Sequence, residues 1–362
     1  MLPSPAPAAP ENASPGAPAN AAVMVRVEPL SVTSPFAVRA SVTTSAASSA
    51  VPAAAPRLVT VTSPTPSTVA AVTVRLVPAP VRLRTSTLPS PLTVAVRVPP
   101  VVMTGAGNGL GAKFIERGGV DILGVYNTGY FRMQGYGSLA GMLPMADANE
   151  MVYQVGKREV LPQVKETPVI AGLNGVDVLR DMRLFLEDIK HIGFSGVHNF
   201  PTVAWFDGDF RKTLEGTGLG YQHEIDMLNY AHELDLLTIG YAFNEVDAER
   251  LMRDAAPDIF IYHAGITRGG STGYSASQSL EDMAKRSQSH YALAKKFKPD
   301  VILLAHGAAL VNPEDAQYML DHTDCHGIQL GSSIERMAVE VPLQERAASF
   351  KAVHFPQGAQ RW

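Results

Sequence analysis

Short apolar runs alternating with amphipathic helical segments begin at Val98 and recur through the rest of the chain. The runs are Pro99–Thr104, Asp121–Tyr126, Pro168–Leu173, Gly196–Asn199, Leu237–Phe243, Asp258–His263, Asp300–His306 and Gly327–Gly331. Glycine, asparagine or proline bounds most of them, and each reads as a strand buried on both faces. Between and after them the pattern predicts helices over Leu110–Arg117, Ala148–Val164, Val178–His191, Tyr221–Leu234, Val246–Ala255, Leu280–Phe297, Pro313–His322 and Pro342–Val353. In the third of these, Leu179, Met182, Leu186 and Ile189 share one face by their 3–4 spacing. Asn312-Pro313-Glu314-Asp315 supplies a cap, a first-turn proline and acids at a helix start. Strict strand–helix alternation gives a parallel sheet. Eight units in about 255 residues fit a closed (β/α)8 TIM barrel of the α/β class, spanning 98–356. A doubly wound open sheet would have fewer units and one dominant glycine-rich turn.

Residues 1–97 follow a different pattern. They are Ala, Pro, Ser, Thr and Val almost throughout, with one aromatic (Phe36) and one glycine (Gly16). Prolines every few residues break helix and central strand alike, and no large side chains are present to fill a core. The expectation is a disordered, low-complexity segment. An arginine-rich, serine-rich, acid-poor composition also suits an organelle transit peptide. Against that, the segment is long, its first arginine is Arg26, and it shows no amphipathic helix, so a cytoplasmic location is expected. A third reading takes it for a mistranslated upstream region, which recovery of natural peptides from residues 26–97 would exclude.

Charge and cysteine use narrow the function. Seven arginines against two acids leave residues 1–97 at +5, so the remainder carries −9 within a chain of −4. Nothing here suggests a nucleic-acid partner. Cys325 is the only cysteine, which leaves no disulfide framework and no thiolate metal site. No apolar run is long enough for a membrane span.

In a barrel the strand C-termini make the active face. The residues there include Gly105-Ala-Gly, Asn127, Asn174, Asn199-Phe-Pro-Thr202, Asn244, His263, His306-Gly307 and Gly331-Ser332-Ser333. His263 and His306 end apolar strands, where a histidine is costly unless bonded or used, and imidazole moves protons near neutrality. The turns after the seventh and eighth strands, with Gly307, Gly331, Ser332 and Ser333, are the common place for a phosphate in such barrels. Arg132 lies in a long loop and offers a fork for carboxylate or phosphate. About twenty residues of loop follow Asn199 and carry Asp207 and Glu215, which reads as a lid bearing an acid or base. Each of these residues also has a bland reading: bonded core histidine, tight turn, rim ion pair, solvated acid. Gly105-Ala-Gly-Asn-Gly resembles a phosphate-binding turn, but its spacing fits a dinucleotide fingerprint poorly, and close packing under the barrel mouth explains it as well.

Six blocks carry a family resemblance: GAGNGLGAKF (105–114), VYNTGYFRMQGYGSLAGMLPMADAN (125–149), GFSGVHNFPTVAWFDGDFRKTLEGTGLGY (193–221), HAGITRGGSTG (263–273), AHGAALVNPEDAQYML (305–320) and GSSIERMAVE (331–340). Residues 99–354 resemble the phosphoenolpyruvate hydrolase-like barrels, also called the TIM-barrel signal-transduction family, placed near phosphoenolpyruvate mutase and isocitrate lyase. The resemblance implies an enzyme acting on a small phosphorylated or carboxylated metabolite, with Mg²⁺ as a candidate cofactor and a homo-oligomer as the expected assembly. On that reading His263, His306 and Glu215 transfer protons. Asn127, Arg132, Asn199, Thr202, Gly307, Gly331, Ser332, Ser333, Glu335 and Arg336 hold the anionic ligand. The alternative is a non-catalytic barrel that senses a small anion. The chain lacks the Lys-Arg/Lys-Cys-Gly-His loop of the lyases and mutases. It also carries Tyr130 and Tyr136 where the family has arginines, and Ala305 where it has cysteine.

Overall fold

The computed structural model describes residues 99–275 and 278–352, together with five strand pieces of two or three residues between Val25 and Arg97. Val25–Arg26 pairs antiparallel with Ala40–Val42, which pairs parallel with Val59–Val61, and Val72–Thr73 pairs parallel with Val96–Arg97. The other residues of 1–98, on which the disorder and targeting expectations rest, lie outside the described residues.

From Pro99 onward, eight parallel strands close into a barrel in chain order. They are β1 (Val101–Gly105), β2 (Ile122–Val125), β3 (Val169–Gly172), β4 (Gly196–His198), β5 (Leu237–Ala242), β6 (Ile259–His263), β7 (Ile302–His306) and β8 (Gly327–Leu330). The (β/α)8 expectation is met, and every strand falls inside its expected apolar run except β1, which extends one residue further, to Gly105.

Register builds the interior in layers. Met103 pairs with Ile122 and Gln329, Leu304 with Ile261 and Gly327, and His263 with His306, which pairs with Gln329 in turn. Partners in a parallel ladder point to the same face. Ile, Leu and Met therefore fill the lower barrel, and a polar layer of His263, His306 and Gln329 opens above them. Gly124 and Gly172 stand inward beside Tyr126: a methyl on Gly124 would lie 2.5 Å from its ring. These two strands give up side chains so that one tyrosine can lie across the barrel.

Helices cover the outside: α1 (Gly109–Arg117), α2 (Asn127–Met133), α3 (Ala148–Val155), α4 (Met182–Ile192), α5 (Gly208–Gly216), α6 (Gln222–Glu233), α7 (Glu245–Asp254), α8 (Leu280–Phe297), α9 (Pro313–His322), α10 (Ser332–Glu335) and α11 (Met337–Lys351). Asn312 and Asp315 form the expected capping box behind Pro313. Other expectations need correcting. α4 begins at Met182, because Asp181 accepts from the backbone of Arg183 and Leu184. Leu179 is thus outside the helix and 86% exposed, whereas Leu186 and Ile189 are buried. The long loop after β4 contains α5, none of whose residues is buried, so it had no apolar face for a pattern to reveal. α11 starts ahead of Pro342, which sits inside it. Asn108 caps α1 by accepting from Gly111, and Gly107 packs against the backbone of Gly129. The glycine-rich turn is therefore a close-packing device.

Candidate functional site

The C-terminal ends of the strands enclose a cavity of about 50 Å³. That is room for a few waters or a small metabolite. His263, His306 and Gln329 form its floor with Tyr126 and Tyr241. Phe200 and Trp205 make an aromatic wall, and Arg132 with Ser138 and Ser332 faces them.

The two histidines come together because β6 and β7 pair them in register; their ring centres are 4.5 Å apart. Backbone groups give them opposite tautomers. His306 Nδ1 lies 2.9 Å from the Gln329 carbonyl, which can only accept, so Nδ1 carries the proton and Nε2 keeps its lone pair. The Gly265 N–H donates to His263 Nδ1 at 3.1 Å, so in the neutral ring Nε2–H is left as a donor. Burial disfavours both imidazolium forms. It pushes His306 down to about 4, with Arg132 adding to the effect and the bond to Gln329 opposing it. It holds His263 well below its usual value, with His306 and His198 as lesser causes. Near neutrality the cavity therefore presents one neutral acceptor beside one neutral donor.

Beneath them runs a hydrogen-bonded chain. Tyr241 OH donates to Gln329 Oε1 at 2.7 Å, and Gln329 Nε2 donates to Tyr126 OH at 2.8 Å. The Tyr126 hydroxyl also lies 2.9 Å from His198 Nδ1, a contact in which the tautomer of His198 sets the donor. The Tyr241 proton is committed to Gln329, and burial raises both tyrosine pKa values.

Arg132 is 7% exposed. It donates to Ser138 Oγ at 3.1 Å and pairs with the carboxylate of Glu335, whose side chain is 1% exposed. Glu335 sits in a backbone cradle: a methyl on Gly105 or Gly129 would lie 2.8 Å from one of its oxygens. The Ser332 hydroxyl lies 3.4 Å from that of Ser138, and Gly331 lies against the guanidinium.

A model of the phosphoenolpyruvate hydrolase-like family matches residues 93–353. The chain belongs to that family. Among curated relatives, it is 44% identical over 255 residues to the ToMV susceptible protein tm-1(GCR26) of Solanum lycopersicum. It is 43% identical over 255 residues to the ToMV resistance protein Tm-1(GCR237) of the same plant. Each match takes in 70% of this chain and 34% of the relative, so the chain spans about a third of the length of the tomato relatives it matches. In shape it is similar to oxaloacetate acetylhydrolase, at 17% identity and TM-score 0.47, covering 72% of this chain and 86% of that one. It is similar also to 2,3-dimethylmalate lyase, at 16% identity and TM-score 0.46, covering 71% and 84%.

Of the residues expected to act, His263, His306, Arg132, Gly331 and Ser332 line the cavity. The others do not. Glu215 lies on α5, where it pairs with Arg211 at 2.9 Å and Arg250 at 3.3 Å and accepts from the Tyr221 N–H; these partners outweigh burial and lower its pKa. It ties α5 to the barrel's outer helices. Asn199 and Thr202 hold the turn after β4: Asn199 Nδ2 and Thr202 Oγ1 each donate to buried Glu224 at 2.7 Å, and Asn199 Oδ1 accepts from Tyr241. Asn127 donates to the Gly141 carbonyl at 2.8 Å and fixes the second loop. Gly307, at φ +90°, turns the chain against the Gly265 carbonyl. Ser333 Oγ is buried without a partner. Arg336 clasps Glu340 and the Gly269 carbonyl.

The family departures also fall elsewhere. Ala305 packs with Met283 on the outer side of the barrel, Tyr136 is 61% exposed, and Tyr130 packs on the core. Sequence reasoning missed Tyr126, His198, Tyr241, Gln329 and Glu224. Gln329 and His198 carried a signal, being polar residues in the middle of short apolar runs; the tyrosines carried none.

The donor set does not suit a protein-held Mg²⁺, which wants oxygen ligands including carboxylates. No carboxylate lines the cavity, Glu335 is engaged by Arg132, and among the described residues no group of three His, Cys, Asp or Glu could hold a metal.

Proposed function

We propose that this barrel is an enzyme that moves a proton on a small anionic metabolite enclosed in the cavity. His306 is the base and His263 the hydrogen-bond donor to the developing oxyanion. The observation that carries the reading is the pair of opposite tautomers lining one cavity. A neutral imidazole with a free Nε2 can take a proton from carbon or from water. A neighbouring Nε2–H can stabilise the enolate or alkoxide that forms. Arg132, Ser138 and Ser332 would hold the anionic group, and the aromatic wall would keep water out. Catalytic roles for Glu215, Asn199 and Thr202 are not part of this reading.

The test is exchange of C3 protons of pyruvate into D2O, followed by NMR, alongside release of phosphate from phosphoenolpyruvate. Wild-type activity in either assay that is lost in His306→Gln supports the reading. The tomato relatives are named for ToMV susceptibility and resistance rather than for a reaction, which favours a second reading: a barrel that binds the anion and does not turn it over. Binding without exchange or hydrolysis would select that one.

A further inference from the structure

We propose that the cavity takes a singly charged, short-chain monocarboxylate without a divalent cation, because Glu335 already balances the charge of Arg132. This rests on the reading of the cavity as the ligand site. Arg132 is the one formally charged residue in the lining, and its partner carboxylate is buried behind it. Glu335 lies in the space that the missing side chains of Gly105 and Gly129 leave open, with its carboxylate against the guanidinium. The pair is close to neutral as seen from the cavity.

A single carboxylate adds one negative charge, which Arg132, Ser138, Ser332 and the local backbone can solvate with charge-assisted bonds. A phosphoenolpyruvate-like ligand brings at least one more negative charge into the same partly enclosed space. Among the described residues no second cation lines the cavity, and the histidines are held neutral by burial. Burying an unpaired charge is strongly unfavourable. A cation brought in to offset it would find no carboxylate in the lining.

The far end of the ligand is specified as well. It must accept from His263 Nε2–H and present a proton to His306 Nε2, which fits a hydroxyl, or a carbonyl with an acidic C–H beside it. The volume of about 50 Å³ corresponds to roughly three to five waters, so the acid has three or four carbons. Lactate and pyruvate have this form.

The experiment is calorimetric titration of the full chain with lactate, pyruvate, malonate and phosphoenolpyruvate, each with and without Mg²⁺. The expected result is that lactate or pyruvate binds at least about tenfold more tightly than malonate or phosphoenolpyruvate, with no Mg²⁺ dependence. Glu335→Gln, which uncovers the guanidinium charge, should move the ranking at least about tenfold toward the doubly charged ligands. If that variant does not fold, the wild-type ranking decides alone. Tighter binding of phosphoenolpyruvate than of the monocarboxylates, or binding that needs Mg²⁺, overturns the proposal and leaves the cavity reading standing. No binding of any anion overturns both.

Discussion

Glu335 and Glu224 are both withdrawn from water, and they are held in opposite ways. Glu335 faces a guanidinium, that of Arg132. Glu224, 0% exposed, accepts from Asn199 and Thr202 side chains and from the Val203 N–H at 2.8 Å, with no cation bonded to it. Neutral donors do not offset the loss of water, and burial pushes Glu224 up to about 8. The contrast separates two uses of a buried acid. Glu335 sets the charge of the cavity. Glu224 ties the turn that carries Phe200 onto α6, and so shapes the wall without touching the ligand.

The comparison breaks most visibly at the ion pair. Arg132→Ala leaves Glu335 buried and alone, and should cost about 3–5 kcal/mol in urea unfolding and abolish anion binding. Arg132→Met combined with Glu335→Leu should recover most of that stability and none of the binding. A single variant as stable as wild type would show that the pair is not a buried charge pair at all.

The next effect is on turnover. His306→Gln should lower proton exchange by about 100-fold or more while ligand affinity changes only a few-fold. Because His306 titrates at about 4 in the folded protein, exchange should hold level near neutrality and fall as pH drops toward that value. A rate that instead falls between about pH 7 and 6 would mean that a group with an ordinary histidine pKa is the base.

Glu224 gives a smaller effect with a distinctive sign. Its carboxyl is raised in the folded state from 4.5 to about 8, so the folded protein binds more protons than the unfolded chain between those values. Its contribution is full below about 4.5 and is lost as pH rises through about 8. Glu224→Gln should flatten the stability profile over that window, at a cost of about 1 kcal/mol on the acid side. Urea midpoints that slope equally in variant and wild type would refute the assignment.

Smallest is Glu215→Gln. Its ion pairs are one-third exposed on the glutamate side, so binding and exchange should not change and stability should move by about 1 kcal/mol or less. A large loss of turnover there would restore the lid role expected from the loop's composition.

Much of the fold was legible. Strand runs of four to seven residues with turn residues at their ends fix element type and order, and eight alternations leave few closed topologies. His263 and His306 were legible for the same reason: a histidine closing an apolar strand needs a partner or a task. Arg132, singled out through its loop, and Ser332, through the phosphate position common to such barrels, both line the cavity. Glu215 misled because loop acids look alike in sequence, whether they meet a ligand or, as here, Arg211 and Arg250. Asn199 and Thr202 misled because a polar strand end is equally good at holding a turn. Tyr126 was invisible, since its reach across the barrel depends on Gly124 of β2, the strand it follows, and on Gly172 of the neighbouring β3.

By itself the sequence determined the alternation, and with it the barrel, because burial of both strand faces by helices follows from local periodicity alone. It also determined which residues end the strands. What only the tertiary structure decided was partnership. Which nitrogen of each histidine carries the proton depends on the backbone groups of Gly265 and Gln329. Whether the cavity is cationic or neutral depends on Glu335 reaching Arg132 from the turn after β8. Charge and proton position are properties of pairs, and two of these, His306 with Gln329 and Arg132 with Glu335, join residues that are distant in the chain and meet only when the barrel closes.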